Sequence, residues 1–170
     1  MKPVTARLAT LAVALAMVAC GAPDPAPDAP PEMRSAEPRG ALAEIEHIHP
    51  EGVARLPVFT PAVRVGDLIF LSGAIGTKPD ELALVEGGIR AETQQTLENI
   101  RTVLHAAGAD LEDVVKCSVF LADIEDYAAM NEVYGPFWGG TPPARSALAG
   151  SGLALGALVE IECIARAPGI

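Results

Sequence analysis

Aromatic side chains are scarce in this chain of 170 residues: one Trp, two Tyr and four Phe, 4% in all. That scarcity disfavours a platform that stacks nucleic-acid bases. Cations are few as well, with 12 Lys and Arg against 22 Asp and Glu and a formal net charge of −10. Binding phosphates needs a concentrated cationic surface, so this balance argues against a nucleic-acid partner. Three cysteines are too few for a disulfide scaffold. What the chain has in quantity is apolar surface, at 50% of residues against 20% charged. A disordered protein is thereby excluded, because enough surface can be buried to offset the conformational entropy of ordering. The length suits one domain with a modest accessory segment.

The accessory segment lies at the N-terminus. Lys2 and Arg7 form a short basic region, and residues 8–19 follow as an uninterrupted apolar or small-residue run. A helix of that length covers about 18 Å, short of the ~30 Å hydrocarbon core of a bilayer. The run therefore fits a secretory signal better than a membrane span. It ends Met17-Val18-Ala19-Cys20-Gly21, which resembles a bacterial lipobox, with residues 1–20 as a lipoprotein-type signal peptide and Cys20 as the site of lipid attachment. Residues 21–40 hold six prolines among Ala, Asp and Glu. Proline fixes φ and removes a donor, so this stretch reads as an extended acidic tether. Cleavage before Cys20 removes two positive charges, and an acidic tether is repelled by anionic headgroups, so the acyl chains alone hold the protein at the membrane. Gly21 lacks the aspartate that retains some lipoproteins at the inner membrane. The expected location is the periplasmic side, favouring the outer membrane if the source is Gram-negative.

Residues 41–170 form the folded unit. Residues 41–49 alternate, with Ile45, His47 and His49 on one side and Glu44 and Glu46 on the other. Two histidines on one strand face suggest metal, but no third Cys, His or Asp is spaced to complete a site, and a solvated strand end is the simpler reading. Residues 63–72 read as a turn at Gly66-Asp67 followed by a buried strand. Ser72-Gly73 ends it, where glycine permits close backbone approach or a positive φ. From residue 89 to 107, Ile89, Thr93, Leu97, Ile100, Leu104 and Ala107 recur in steps of three and four. That spacing predicts an amphipathic helix closed by Gly108. Residues 113–121 read as a strand. Asp123 reads as the N-cap of a second helix that carries Tyr127, Asn131 and Tyr134 on one side and ends near Gly139-Gly140. Two strands, near 146–149 and 158–165, close the chain. Both helices carry one apolar stripe, which places them on one face of a single sheet. The other face, left without cover, predicts an oligomer. Cys117 and Cys163 each fall in a strand, where a buried free thiol is the default and a disulfide stays open in an oxidising compartment.

The candidate chemistry is near the C-terminus. Pro142-Pro143 stiffens the approach to Arg145, a lone guanidinium suited to bidentate recognition of a carboxylate. Glu160 and Glu162 share one side of the last strand, opposite Val159, Ile161 and Cys163. A carboxylate on an apolar sheet is costly unless paired or functional. A purely structural Arg145–Glu160 ion pair is the plain alternative.

Five segments, taken in order, change that balance: Val-Gly-Asp-Leu-Ile-Phe-Leu-Ser-Gly (65–73), Thr-Leu-Glu-Asn-Ile (96–100), Ala-Ala-Gly-Ala-Asp-Leu-Glu-Asp-Val-Val-Lys (106–116), Pro-Pro-Ala-Arg-Ser (142–146) and Val-Glu-Ile-Glu-Cys-Ile-Ala (159–165). Together they resemble the RidA (YjgF-type) reactive-intermediate deaminases over residues 47–167. The resemblance implies an α+β, chorismate-mutase-like single mixed sheet with two helices on one face. It also implies a homotrimer with a central barrel-like core and active sites in the clefts between subunits. Members hydrolyse 2-imino and 2-enamino acids to 2-keto acids and ammonia without metal or organic cofactor. Carried over, Arg145 clamps the substrate carboxylate and Glu160 positions or activates water. Phe59, Ser72, Gly73, Asn131, Ser146 and Ala147 fall where the family lines its pocket. Phe59 stands where a tyrosine is usual and Ala147 where a cysteine is usual, so a hydroxyl and a thiol are absent. Retaining Arg145 sets the chain apart from arginine-lacking branches. A lipid-anchored module that binds small carboxylates without turnover is the alternative. Ribonuclease activity fits poorly with the acidic charge and with His105 lying on the first helix.

Overall fold

The structure, a computed structural model, describes residues 43–168. The signal segment 1–20 with Cys20 and the tether 21–40 lie outside the described residues. Seven strands and two α-helices run in the order β1 (Ile45–Ile48), β2 (Ala62–Val65), β3 (Leu68–Leu71), β4 (Ala74–Ile75), α1 (Gly88–Ala106), β5 (Val114–Leu121), α2 (Tyr127–Phe137), β6 (Ala144–Ala149) and β7 (Val159–Arg166). All strands join one sheet in the order β1-β2-β3-β7-β5-β6, with β4 pairing the start of β7. Only β5 and β6 are parallel, which is why α2 must cross over between them.

α1 forms where the three-and-four spacing placed it. Ile89, Thr93, Leu97, Ile100 and Leu104 are buried, and Gly108, at φ 76°, terminates the helix. They pack on the β5 and β7 side chains Val119, Leu121, Val159 and Ile161, and α2 adds Met130 to the same core. Each such side chain contributes roughly 1.5–3 kcal/mol through burial. Both helices cover this face, and Arg90 links α1 to Glu132 on α2 at 2.7 Å. That exposed pair adds little energy.

Three expectations need correction. The stretch 63–72 is a hairpin of β2 and β3, and β3 is buried on one side only: Ile69 and Leu71 are covered while Leu68 and Phe70 remain 42% and 41% exposed. Asp123 caps a single 3-10 turn at 124–126, its Oδ1 accepting from the Glu125 amide at 3.0 Å, and α2 starts only at Tyr127. Cys117 and Cys163 are not free thiols but a buried disulfide. They stand directly opposite in the antiparallel β5–β7 register, which brings their Cα atoms to 4.1 Å.

Candidate active site

Arg145 opens β6 and points to the helix side of the sheet. Its Nη1 donates to Asn131 Oδ1 at 2.6 Å and its Nη2 to Tyr127 Oη at 3.0 Å. The guanidinium lies 4.6 Å from the centroid of the Tyr134 ring and 5.5 Å from that of Tyr127. Burial pushes the Tyr134 phenol up to about 12 despite the opposing influence of the cation, so this ring stays neutral beside it. The spacing 127, 131, 134 on one helix side gathers all three residues around one strand residue. None of these partners is a carboxylate, and among the described residues Arg145 makes no ion pair. It is held in place but not neutralised.

Glu160, on β7, points the other way. Its position opposes Phe120 across β5, whereas Arg145 opposes Cys117, and 117 and 120 face opposite sides of that strand. The structural Arg145–Glu160 ion pair is thereby ruled out within one chain. Glu160 instead sits over Gly73, where an added Cβ would overlap its carboxylate. The carboxylate can keep this position only while residue 73 has no side chain, since a Cβ there would push it aside. Burial, reinforced by the charge of Glu162, raises the Glu160 carboxyl above the ordinary value. The start of β7 is fixed from α1, because the buried Glu92 accepts the Leu158 amide hydrogen at 2.8 Å.

The proposed site residues therefore fall into two groups. Phe59, Ser72, Gly73 and Glu160 line one cavity of about 490 Å³. Asn131 and Arg145 meet against α2, with Ala147 on the same side of β6. Ser146 faces the opposite side, where its Oγ accepts from Lys116 Nζ at 2.7 Å. His47 Nδ1 lies 3.2 Å from Thr60 Oγ1. Sequence reasoning placed Tyr127 and Tyr134 beside Asn131 without giving them a role at Arg145. It missed Val53, Leu56 and Leu155 in the cavity wall. No motif marks these three, since they come from loops far apart in the chain.

The sheet face bearing Glu160 is uncovered. Ile45, Leu68, Phe70 and Leu148 lie on it with 61%, 42%, 41% and 52% exposure. Ile45, Leu68 and Phe70 group on the β1–β3 side of this face, while Leu148 stands apart beyond Glu162, Ser118 and Ser146, and exposed apolar groups of this size mark an interaction face.

A family model described as Endoribonuclease L-PSP matches residues 53–167. A RutC family protein of Pyrococcus abyssi is 43% identical over 107 residues, 63% of this chain and 84% of that protein. The 2-iminobutanoate/2-iminopropanoate deaminase of Rattus norvegicus is 42% identical over 112 residues, 66% of this chain and 82% of that protein. The crystal structure of RidA from an Antarctic Psychrobacter superposes with a TM-score of 0.67 at 36% identity, covering 71% of this chain and 98% of that one.

Proposed function

The chain belongs to the Endoribonuclease L-PSP family, which takes in the RidA/YjgF proteins, and from that premise we propose that it is a metal-independent deaminase hydrolysing 2-imino and 2-enamino acids to 2-keto acids and ammonia. The observation that carries this reading is Arg145: a guanidinium oriented by Asn131 and Tyr127, yet without a carboxylate partner among the described residues. Such a group is prepared to take a substrate carboxylate through two parallel N–H bonds.

The reaction needs little more than positioning. With the carboxylate clamped, the imine carbon is already electrophilic and is presented to a water held by Glu160. Glu160 takes a proton as water adds to the C=N bond, and the nitrogen gains one. Collapse of the resulting carbinolamine breaks the C–N bond, releases ammonia and leaves the keto acid. A carboxyl raised by burial is better matched to accepting and returning a proton near neutral pH than an ordinary glutamate.

One copy cannot place Arg145 and Glu160 on one substrate, because they face opposite sides of the sheet. The reading therefore requires a neighbouring copy to bring its Arg145 to the Glu160 cavity, in a homotrimer closed over the apolar face. The exposed Phe70 and Leu148 support that assembly. Export with a lipid on Cys20 belongs to the same proposal, and the buried Cys117–Cys163 bridge supports it, since disulfides persist in oxidising compartments.

A second reading, carboxylate binding without turnover, draws on Phe59 and Ala147, which bring neither hydroxyl nor thiol to the site. Despite the family's description, RNA cleavage gains no support from His105, which ends α1 beside Asp110 at 3.3 Å. The test generates imino acids in situ with an amino-acid oxidase and traps the remaining imine with semicarbazide. Faster imine loss with wild type than with Arg145→Ala is expected. No difference for any substrate would transfer the assignment to a binding module.

A further inference from the structure

Resting on the deaminase reading, we infer that the preferred substrates carry a large apolar side chain, received by the cavity beside Glu160. At about 490 Å³ in one copy the cavity is in the range that encloses drug-sized ligands, which leaves room for a large side chain beside the guanidinium that a neighbouring copy brings. Its wall is made chiefly by Val53, Leu56, Phe59, Ile75, Leu82 and Leu155.

Each of the few uncharged polar side chains in the wall makes a hydrogen bond within the protein. Ser72 Oγ donates to the Thr60 carbonyl at 2.7 Å. Asn99 Nδ2 donates to the carbonyls of Ile75 and Thr77, each at 3.0 Å, and its Oδ1 accepts from Gln95 Nε2 at 2.9 Å. Thr77 Oγ1 lies 3.4 Å from the same Asn99 amide nitrogen. Glu160 is the one charged residue in the lining. A polar substrate side chain entering here would lose its hydration against a wall that is mostly apolar, whereas an apolar one gains burial.

Two further observations concern the rim. Leu82 and Leu155 are 53% and 57% exposed, large apolar groups turned to solvent where they border the cavity. Leu155 also holds φ 57° and ψ 12°, a left-handed conformation that a leucine rarely adopts. Strain of this kind gathers at ligand clamps, where the surrounding structure holds a side chain in place against its local preference. Here it presents an apolar side chain to whatever occupies the cavity. Selection then divides between two groups: Arg145 of a neighbouring copy reads the carboxylate every substrate shares, and the cavity reads the side chain.

The full chain is assayed with imino acids formed in situ from leucine, phenylalanine and alanine. The kcat/KM for the leucine- and phenylalanine-derived imines should exceed that for the alanine-derived one by roughly tenfold or more. Leu155→Asn, which tolerates the left-handed backbone, should bring that ratio down toward one. Turnover at equal rates, or faster with the alanine-derived imine, overturns the inference while leaving the deaminase reading standing. If no imine is consumed, the deaminase reading fails and the cavity is tested by calorimetric titration with 2-keto acids. Binding of 4-methyl-2-oxopentanoate roughly tenfold tighter than pyruvate then upholds the apolar subsite. Equal binding, or none, overturns it.

Discussion

Glu160 lies so close over Gly73 that a Cβ on residue 73 would overlap its carboxylate oxygen, which makes that glycine part of the glutamate's placement. The obstacle met by Gly73→Ala is the far end of a side chain, which can swing away, so the variant should fold with little loss of stability. Its activity should nonetheless fall by roughly a hundredfold, as expected when a reacting group is displaced by about 1 Å. Gly76→Ala provides the contrast. Its Cβ would come within 2.8 Å of the Glu92 Cα on α1, a backbone atom that cannot turn aside, and a loss of about 1–3 kcal/mol is expected. Thermal unfolding and imine hydrolysis on both variants check the pair; a destabilised, fully active Gly73→Ala counts against the placement of Glu160.

Arg145 and Glu160 face opposite sides of the sheet, so on the deaminase reading proposed above each active site combines two copies. Arg145→Ala and Glu160→Gln should each be inactive alone. Co-expressed in equal amounts, they should recover about a quarter of wild-type activity, the share of sites that random mixing around a closed ring furnishes with both groups. Zero recovery in mixed oligomers of confirmed composition would show that both groups come from one chain.

Arg145→Lys keeps the charge and loses the planar fork. With the Asn131 and Tyr127 bonds disrupted as well, KM should rise about tenfold or more, and kcat should change less if the clamp acts in binding. Steady-state kinetics separate the two parameters. An unchanged KM would dismiss bidentate recognition.

Burial first, and the charge of Glu162 second, hold the Glu160 carboxyl above 4.5. The folded state thus favours the protonated form: its contribution to stability is present below 4.5 and is lost as pH rises through the higher folded-state value. In catalysis the ionised form is the base, so burial and Glu162 push the acidic limb of the kcat/KM profile upward, against the downward pull of the neighbouring copy's Arg145 at the same site. Glu162→Gln removes a like charge and should move that limb to lower pH. A limb that stays put excludes Glu162 as a cause.

The Cys117–Cys163 bridge joins residues 46 apart in sequence. Replacing both by alanine should lower stability by about 2–4 kcal/mol, with the melting temperature falling accordingly. Alkylation in denaturant before and after reduction, followed by peptide mass mapping, should find both sulfurs blocked until the reductant is added. Free thiols at these positions in protein recovered from an oxidising compartment would remove the bridge as a support for export.

The α1 stripe was legible in the sequence because it needs only local periodicity: Ile89, Thr93, Leu97, Ile100 and Leu104 lie on one side of any helix built from that segment. The alternation of Glu160 and Glu162 against Val159 and Ile161 was legible for the same reason; for Gly73 the sequence left close approach and a positive φ both open, and the structure shows the close approach. The start of α2 was less so, because Asp123 is an equally good cap for a 3-10 turn and for an α-helix; the α-helix that follows buries Met130 and Tyr134.

What the sequence determined by itself is local: the periodicities that make strands and helices, the segments that identify the family, and the residue types able to hold a carboxylate or a proton. What only the tertiary structure decided is which of these meet. Strand register put Cys117 opposite Cys163 and sent Arg145 and Glu160 to opposite faces. Loops distant in sequence closed an apolar cavity around Phe59 and Leu155. Register and loop closure are set by the packing of the whole core against the cost of chain entropy, and no short window of sequence contains that balance.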